Sequence, residues 1–406
     1  MSDDARAQPP SYSTRLRDGE ARLEHSPSRS RRSSASTDTW MKTQGHVTLA
    51  LAEQDRSLAQ PVYGRTGRIH GAVLLDDRSS VGSVKLQLVG FIRSANPRGQ
   101  QREIPLLNMG LDIWPAPEQQ DPVCPGALTF SFRIPDGFFD HNLKGAAPLP
   151  PSYSSVKDDF ELTVGYELII NVEHKRGRAL GMFNRSVRIC VPIIHKPATR
   201  PVRPLLQHPV FFSSVKVSPE EWKQTVVPMN TKTEGSGPAV DPVNCSLFIP
   251  ALQVFAVTDK IPVHVQITGT LTSLVLLFPS PGPRPPSPSD SLRYLTLKLL
   301  RQVTVEIEGK EAYRNVVIGT GELRPVPPPA ESSTPPNRHR GGQEHMDWEG
   351  QLKCESEDTV GSFSSVGCSV KDYIVFEVDP HPESPFSKTV VAMGCRIVTN
   401  PWTEEV

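Results

Sequence analysis

An all-β chain folded as two tandem antiparallel β-sandwiches is what the sequence predicts, and three observations predict it. Apolar residues alternate with polar ones at period two in run after run, as in Val84, Leu86 and Leu88 of SVKLQLVGF and Leu128, Phe130 and Phe132 of ALTFSFRIP; such alternation marks strands with one buried face. Hardly any segment repeats its apolar residues at helical spacing. Third, VYGRTGRIHGAVLL (Val62 to Leu75) is echoed without a gap by VFAVTDKIPVHVQI (Val254 to Ile267), setting Tyr63 against Phe255, Thr66 against Thr258, Arg68 against Lys260 and Ile69 against Ile261. Both copies read as an aromatic anchor, a tight turn and a strand, so one unit occurs twice.

The elements follow in order. Residues 1–44 are Ser- and Arg-rich and nearly free of aliphatics; such a composition buries too little apolar area to offset ordering entropy and predicts a disordered tail. Residues 45–205 hold the first set of alternating runs, among them HVTLALAE, RIHGAVLL, FELTVGYELIINVEH and RSVRICVPII, and predict the first sandwich. The joint HKPATRPVRPL, with Pro197, Pro201 and Pro204, predicts an extended, semi-rigid connector that keeps the two domains close without fusing their cores. Residues 206–406 carry NCSLFIPALQVF, IPVHVQIT, LTLKLLRQVTVEIEG and SVKDYIVFEV and predict the second sandwich, interrupted by Pro-rich surface loops at 279–291 and 324–345. A weaker echo sets Val172 of IINVEH against Val378 of VFEVDP. SPEEWKQTV, Ser218 to Val226, reads as a helical turn, with a Ser cap and Pro at the first position, or equally as a polar strand end.

Composition narrows the function classes. Lys plus Arg and Asp plus Glu both number 44, so no global field steers the chain toward nucleic acid. The longest apolar stretch, Ser273 to Phe278, falls far short of the roughly 20 residues of a membrane-spanning helix. The first residues, MSDDARAQPPSY, lack the apolar core of a secretory signal, which predicts a cytoplasmic protein. The six cysteines are scattered, without Cys-x-x-Cys pairs, and read as reduced thiols. Nucleophile elbow, zincin helix and phosphate loop are all missing, and the histidines do not gather with carboxylates at metal spacing. The expectation is therefore a protein that is not an enzyme and needs no cofactor or metal.

Pro-Pro-Ser-Tyr occurs twice, in QPPSYST at Gln8 to Thr14 and in LPPSYSS at Leu149 to Ser155. A shuffle of this composition gives about 0.07 copies of Pro-Pro-x-Tyr. A WW domain grips such a segment by stacking prolines on aromatic residues and taking the tyrosine into a second pocket, which requires an accessible, extended chain. Pro9, Pro10 and Tyr12 lie in the polar tail and are the leading docking candidates. Pro150, Pro151 and Tyr153 sit just ahead of a strand, where a structural turn is the better reading.

With VYGRTGRIHGAVLL, SVKLQLVGFIRS, LTFSFRIPDG, LPPSYSS ahead of FELTVGYELIINVEHKRG, and RICVPIIHKPATRPVRPL in this order, the sequence resembles the arrestin family, specifically fungal alpha-arrestins. The resemblance covers residues from about Gly45 to Leu205 well and the second half more loosely. It implies two immunoglobulin-like sandwiches joined by a hinge, acting as an adaptor. Such an adaptor presents cytoplasmic segments of membrane transporters or receptors to a WW-domain ubiquitin ligase of the HECT class, with recruitment to the plasma membrane or endosomes. An arrestin-fold sorting scaffold like the retromer subunit, with no ligase partner, is the alternative. Further candidates come from the residues: Ser33 and Ser34 follow Arg31 and Arg32 as sites for a basic-directed kinase. Lys175, Arg176 and Arg178, with Lys196, Arg200 and Arg203 of the joint, are candidate contacts for acidic cargo tails or phosphoinositide headgroups in peripheral membrane contact; solvated hairpin tips are the plainer reading.

Overall fold

The computed structural model describes residues 19–23, 39–115, 123–140, 144–175, 186–205, 215, 217–232, 240–279, 287–326, 344–356 and 359–404. The first half supplies β1 (Glu20–Leu23), β2 (Thr39–Gln44), β3 (Val47–Ala52), β4 (Val62–Tyr63), β5 (Arg68–Leu75), β6 (Val81–Ala95) and β7 (Gln101–Trp114). It continues with β8 (Ala127–Arg133), β9 (Gly137–Asp140), β10 (Gly145–Pro148), β11 (Tyr153–Val156), β12 (Glu161–His174), β13 (Ser186–His195) and β14 (Ala198–Pro201). The second half supplies β15 (Trp222–Pro228), β16 (Asn244–Pro250), β17 (Val254–Ala256), β18 (Ile261–Gly269), the short helices α1 (Leu271–Leu277) and α2 (Pro288–Ser291), and β19 (Leu295–Ile307). It ends with β20 (Lys310–Pro325), β21 (Glu344–Leu352), β22 (Phe363–Ser365), β23 (Cys368–Val378) and β24 (Thr389–Val398).

The chain is all-β, and each half is a sandwich. In the first, the sheet β2-β3-β5-β8 faces β4-β13-β12-β6-β7, with β11 added on β12. Alternation sets which side chains meet between the sheets: Val47, Leu49 and Leu51 of β3, Ile69 and Val73 of β5, and Leu168, Ile170 and Val172 of β12 are all buried in one core. The second half repeats this plan. Its β15-β16-β18-β21 matches the first sheet, and β17-β24-β23-β19-β20, with β22 on β23, matches the second. Here the two sheets are continuous, because Gly321 to Pro325 of β20 pair with β21. Gly319 and Gly350 allow that corner: a Cβ on Gly319 would stand 2.1 Å from the Lys353 carbonyl oxygen, and one on Gly350 2.6 Å from that of Glu322.

The echo seen in the sequence is a true structural repeat. β4 runs parallel to β13, with Tyr63 opposite His195, and β17 runs parallel to β24, with Phe255 opposite Ile397. Tyr63 and Phe255 are both buried. The turns that follow close with equivalent hydrogen bonds, Gly67 N to Gly64 O at 3.1 Å and Asp259 N to Ala256 O at 3.0 Å. These two short pairs are the exceptions to antiparallel pairing among the named strands.

Several expectations need correction. Within the stretch read as a tail, β1 pairs with β14 and β2 pairs along its whole length with β3; composition misses this because the partners, not the local residues, make these strands. The remaining tail, 1–18 and 24–38, lies outside the described residues. The Pro-rich loops are narrower than composition suggests. Arg324 and Pro325 belong to β20, Glu344 and His345 to β21, and Pro288–Ser291 form α2, capped by Ser287 through Asp290 N at 3.2 Å. The apolar run at 273–278 is mostly the helix α1, with Thr270 Oγ1 accepting from Ser273 N. Both readings of SPEEWKQTV hold in sequence: Pro219–Glu221 form a 3-10 turn and Trp222 opens β15. The two halves also share a core. Val303, Val305, Ile307, Phe363, Cys368 and Val370 pack with the first sandwich, so the joint does not keep the cores apart.

All six cysteines are free, five of them buried. Among the described residues no helix is long and apolar enough to cross a membrane, and no group of three or more His, Cys, Asp or Glu is placed to hold a metal ion.

Candidate functional site

The inner Pro-Pro-Ser-Tyr is built into the seam between the halves. Pro150 is buried and its carbonyl accepts from Tyr166 Oη at 2.7 Å. Ser152 is tied to His195 both ways, Ser152 N to His195 O at 2.8 Å and His195 N to Ser152 Oγ at 2.9 Å. Tyr153 opens β11 opposite Val164, and its ring meets Phe363 edge-on with centroids 5.7 Å apart.

The repeat explains this arrangement. In the second half Phe363 opens β22 opposite Val370, Ser362 N donates to Ile397 O at 2.8 Å, and Ile397 N donates to Ser362 Oγ at 2.8 Å. Ser152-Tyr153 and Ser362-Phe363 therefore fill the same place, each bracing the final strand of its sandwich beside the parallel partner β4 or β17. The residues ahead are Pro150-Pro151 in one half and Val360-Gly361 in the other. The fold thus requires the serine and the aromatic ring at this position and accepts different residues in place of the prolines.

Around that axis the halves exchange charged side chains. Arg314 of β20 enters the turn between β11 and β12, where it donates to Asp159 Oδ1 at 2.6 Å, the Phe160 carbonyl at 2.9 Å, and Ser155 O and Oγ at 2.9 and 2.6 Å; its guanidinium lies 4.2 Å from the Phe160 ring centroid. Arg102 of β7 crosses the other way to Glu306, 2.8 Å from its carboxylate. Behind the seam, Arg301 and Asp372 form a bidentate pair at 2.8 and 2.9 Å, and Ser362 Oγ donates to Asp372 at 2.6 Å. Burial works against the Arg301 charge, and the facing Asp372 more than offsets it, so the guanidinium stays ionised.

A cavity of about 330 Å³ lies on the seam, with Pro151, Ser152 and His195 on one wall and Ser362, Phe363 and Arg396 on another. β1 closes it. Its Glu20 carboxylate forms an ion pair with Arg396 of β24, Val202 N donates to Gly19 O at 2.8 Å, and Thr199 of β14 is hydrogen-bonded to Thr399 of the second half. Burial lowers the His195 pKa to about 4, a hydrogen bond to the Tyr63 backbone opposing it only in part, so the ring is neutral at pH 7.

The candidate basic residues do not make one patch. Lys196 lines the seam cavity, Arg200 donates to Thr403 Oγ1 at 3.0 Å, and Arg203 lines a second cavity of about 500 Å³ beside Trp402. Lys175 follows the opposite end of β12, bonded through its backbone to Ser80 O; at strand rise that is roughly 35 Å from the seam. Arg176, Arg178, Ser33, Ser34 and the outer motif Pro9, Pro10 and Tyr12 lie outside the described residues. Sequence reasoning missed Glu20, Arg22, Arg65, His195, Arg396 and the Arg301–Asp372 pair. The GRTGR turn holding Arg65 was the nearest signal, but it carries no hint that Glu20 and Arg396 meet.

No protein-family model matches the chain, and no curated protein matches it.

Proposed function

We propose that the chain is a non-catalytic adaptor of arrestin-like architecture that links cytoplasmic segments of membrane cargo to a WW-domain ubiquitin ligase of the HECT class. One observation carries the reading: the two Pro-Pro-Ser-Tyr copies stand in different settings. The inner copy is occupied by the fold. Tyr12 of the outer copy precedes Gly19, where β1 is fastened to the seam, by seven residues, a reach of at most about 25 Å. A WW domain bound there is held next to both halves, which raises the effective concentration of the ligase at the bound cargo. Among the described residues the outer edge of β7 carries no further strand and offers backbone groups for a cargo segment to extend. The adaptor works at the cytoplasmic face of the plasma membrane or endosomes, without chemistry of its own.

Binding of WW domains from a HECT ligase to the full chain, compared with Tyr12→Ala and Tyr153→Ala, tests this. The expected result is loss on Tyr12→Ala alone, with Tyr153→Ala lowering the melting temperature. An unbound parent protein overturns the ligase role and favours the sorting scaffold; binding that survives Tyr12→Ala overturns tail docking.

A further inference from the structure

The cavity of about 500 Å³ beyond the end of β14 is apolar along Leu205, Pro250, Leu252 and Trp402 and carries one charge of each sign, Arg203 and Glu221. These walls are held in place. Asn400 N donates to Thr199 O at 2.9 Å and Arg200 to Thr403 Oγ1 at 3.0 Å, on either side of Trp402, and Ala251 N donates to Glu221 O at 2.8 Å. Neither Arg203 nor the half-buried Glu221 has an ion-pair partner among the described residues. Lys223, two residues on from Glu221, is turned to Gln253 Oε1 at 2.9 Å instead. A carboxylate and an indole in one cavity suit a guanidinium, which pairs with the first and stacks on the second.

The chain enters the described structure at this wall. Gly19 has φ +93° and lies so close to Leu252 that a Cβ would collide with its side chain, and Gly19 O accepts from Val202 N at 2.8 Å. Glycine alone takes that backbone turn at such an approach without strain. The two residues ahead of it are Arg17 and Asp18. Asp18 and Arg203 flank the bonded pair Gly19 and Val202, so their opposite charges start one residue from a fixed contact. Arg17 starts two residues from Gly19, at most about 7 Å. The acid and base of this dipeptide complement the base and acid of the cavity.

We infer that the cavity is the socket of an intramolecular latch, whose occupant is this chain's own Arg17 and Asp18: Arg17 pairs with Glu221 over the face of Trp402 and lays its aliphatic stem on Leu252, while Asp18 pairs with Arg203. This goes beyond the adaptor reading and does not depend on it. Latching moves the attachment point of the outer Pro-Pro-Ser-Tyr onto the second sandwich. Tyr12 then hangs five residues from Arg17, at most about 18 Å, and a partner bound to it is held at the Trp402 corner.

Hydrogen exchange of the full chain, read by mass spectrometry over short overlapping fragments, tests the latch. The amides at 16–18 should exchange about fivefold more slowly in the parent than in Glu221→Arg or Arg17→Glu, with those of Ala21 to Leu23 in β1 unchanged. Trp402→Ala should lose protection as well. Joining Arg17→Glu to Glu221→Arg should restore it, which general damage from either single change would not allow. Melting temperatures check that each variant is folded. No protection at 16–18 in the parent overturns the latch, and so does a double variant no better than the single ones. Equal acceleration at Ala21 to Leu23 shows release of β1 as a whole and overturns it too. Protection that falls on dilution gives the socket to the tail of a second copy, and protection at 206–214 in place of 16–18 gives it to that segment; either result overturns the latch.

Discussion

Tyr153 and Phe363 occupy the same position in two copies of one structural unit, and their rings meet edge to face at 5.7 Å where the copies join. The residue that braces each sandwich internally also binds it to the other. Truncating either ring therefore acts on both the local strand and the seam. Tyr153→Ala should cost about 2 kcal/mol, and Phe363→Ala, more deeply buried, about 3 kcal/mol. A double-mutant cycle by denaturant unfolding should return a coupling of roughly 0.5–1.5 kcal/mol. A coupling near zero would show that the two rings act independently.

Arg314 joins the halves by polar contacts. In Arg314→Met, the Phe160 and Ser155 carbonyls and Asp159 lose their donor, for an expected cost of roughly 2–4 kcal/mol. Hydrogen exchange should speed up in the turn at 157–160 before it does in the strand centres, and uniform acceleration would contradict a local role.

The buried Arg301–Asp372 pair should behave asymmetrically. Arg301→Met alone strands a carboxylate with no access to water and should cost roughly 3–5 kcal/mol. Replacing both, Arg301→Met with Asp372→Leu, should recover most of that loss, less the bond that Ser362 donates to Asp372. Thermal melts of the parent protein, the single variant and the double variant decide the matter.

His195 gives the molecule an acid-sensitive element. Its folded pKa, about 4, is below the unfolded value near 6.5, so the unfolded chain binds more protons in between. Its contribution is therefore complete above pH 6.5 and falls as the pH drops toward 4, by roughly 3 kcal/mol in all. His195→Ile should flatten stability against pH across that window, and an unchanged slope would place the sensitivity elsewhere.

How much of this was legible in the sequence differs by range of interaction. Strand alternation is local, so the runs around Leu86, Leu128 and Leu168 announce their buried faces directly. The echo joining Tyr63 to Phe255 was legible because turn and strand chemistry recur together. The match of SYSSV (Ser152 to Val156) with SFSSV (Ser362 to Val366) is written in the sequence, four of five residues being identical, but a stretch this short and Ser-rich does not stand out, and the first half carries a longer turn before its next strand. Neither Glu20 nor Arg396 has any local property that foretells the pair; their meeting is a product of topology. The prolines at 197, 201 and 204 pointed to an extended joint correctly, but proline content says nothing about the cores on either side, and these merge.

The Glu20–Arg396 pair spans nearly the whole described chain, and that sets an order of events during synthesis. The chain emerges N-terminal end first, and the first sandwich can close once β13 has left the ribosome. β1 can then settle on β14, yet its carboxylate lacks its ion-pair partner until the last strand of the second sandwich arrives. Until then the N-terminal strand is only half secured. A nascent chain stalled before Arg396 should thus expose its N-terminal segment to protease, so the ion pair doubles as a signal that translation of both halves is finished.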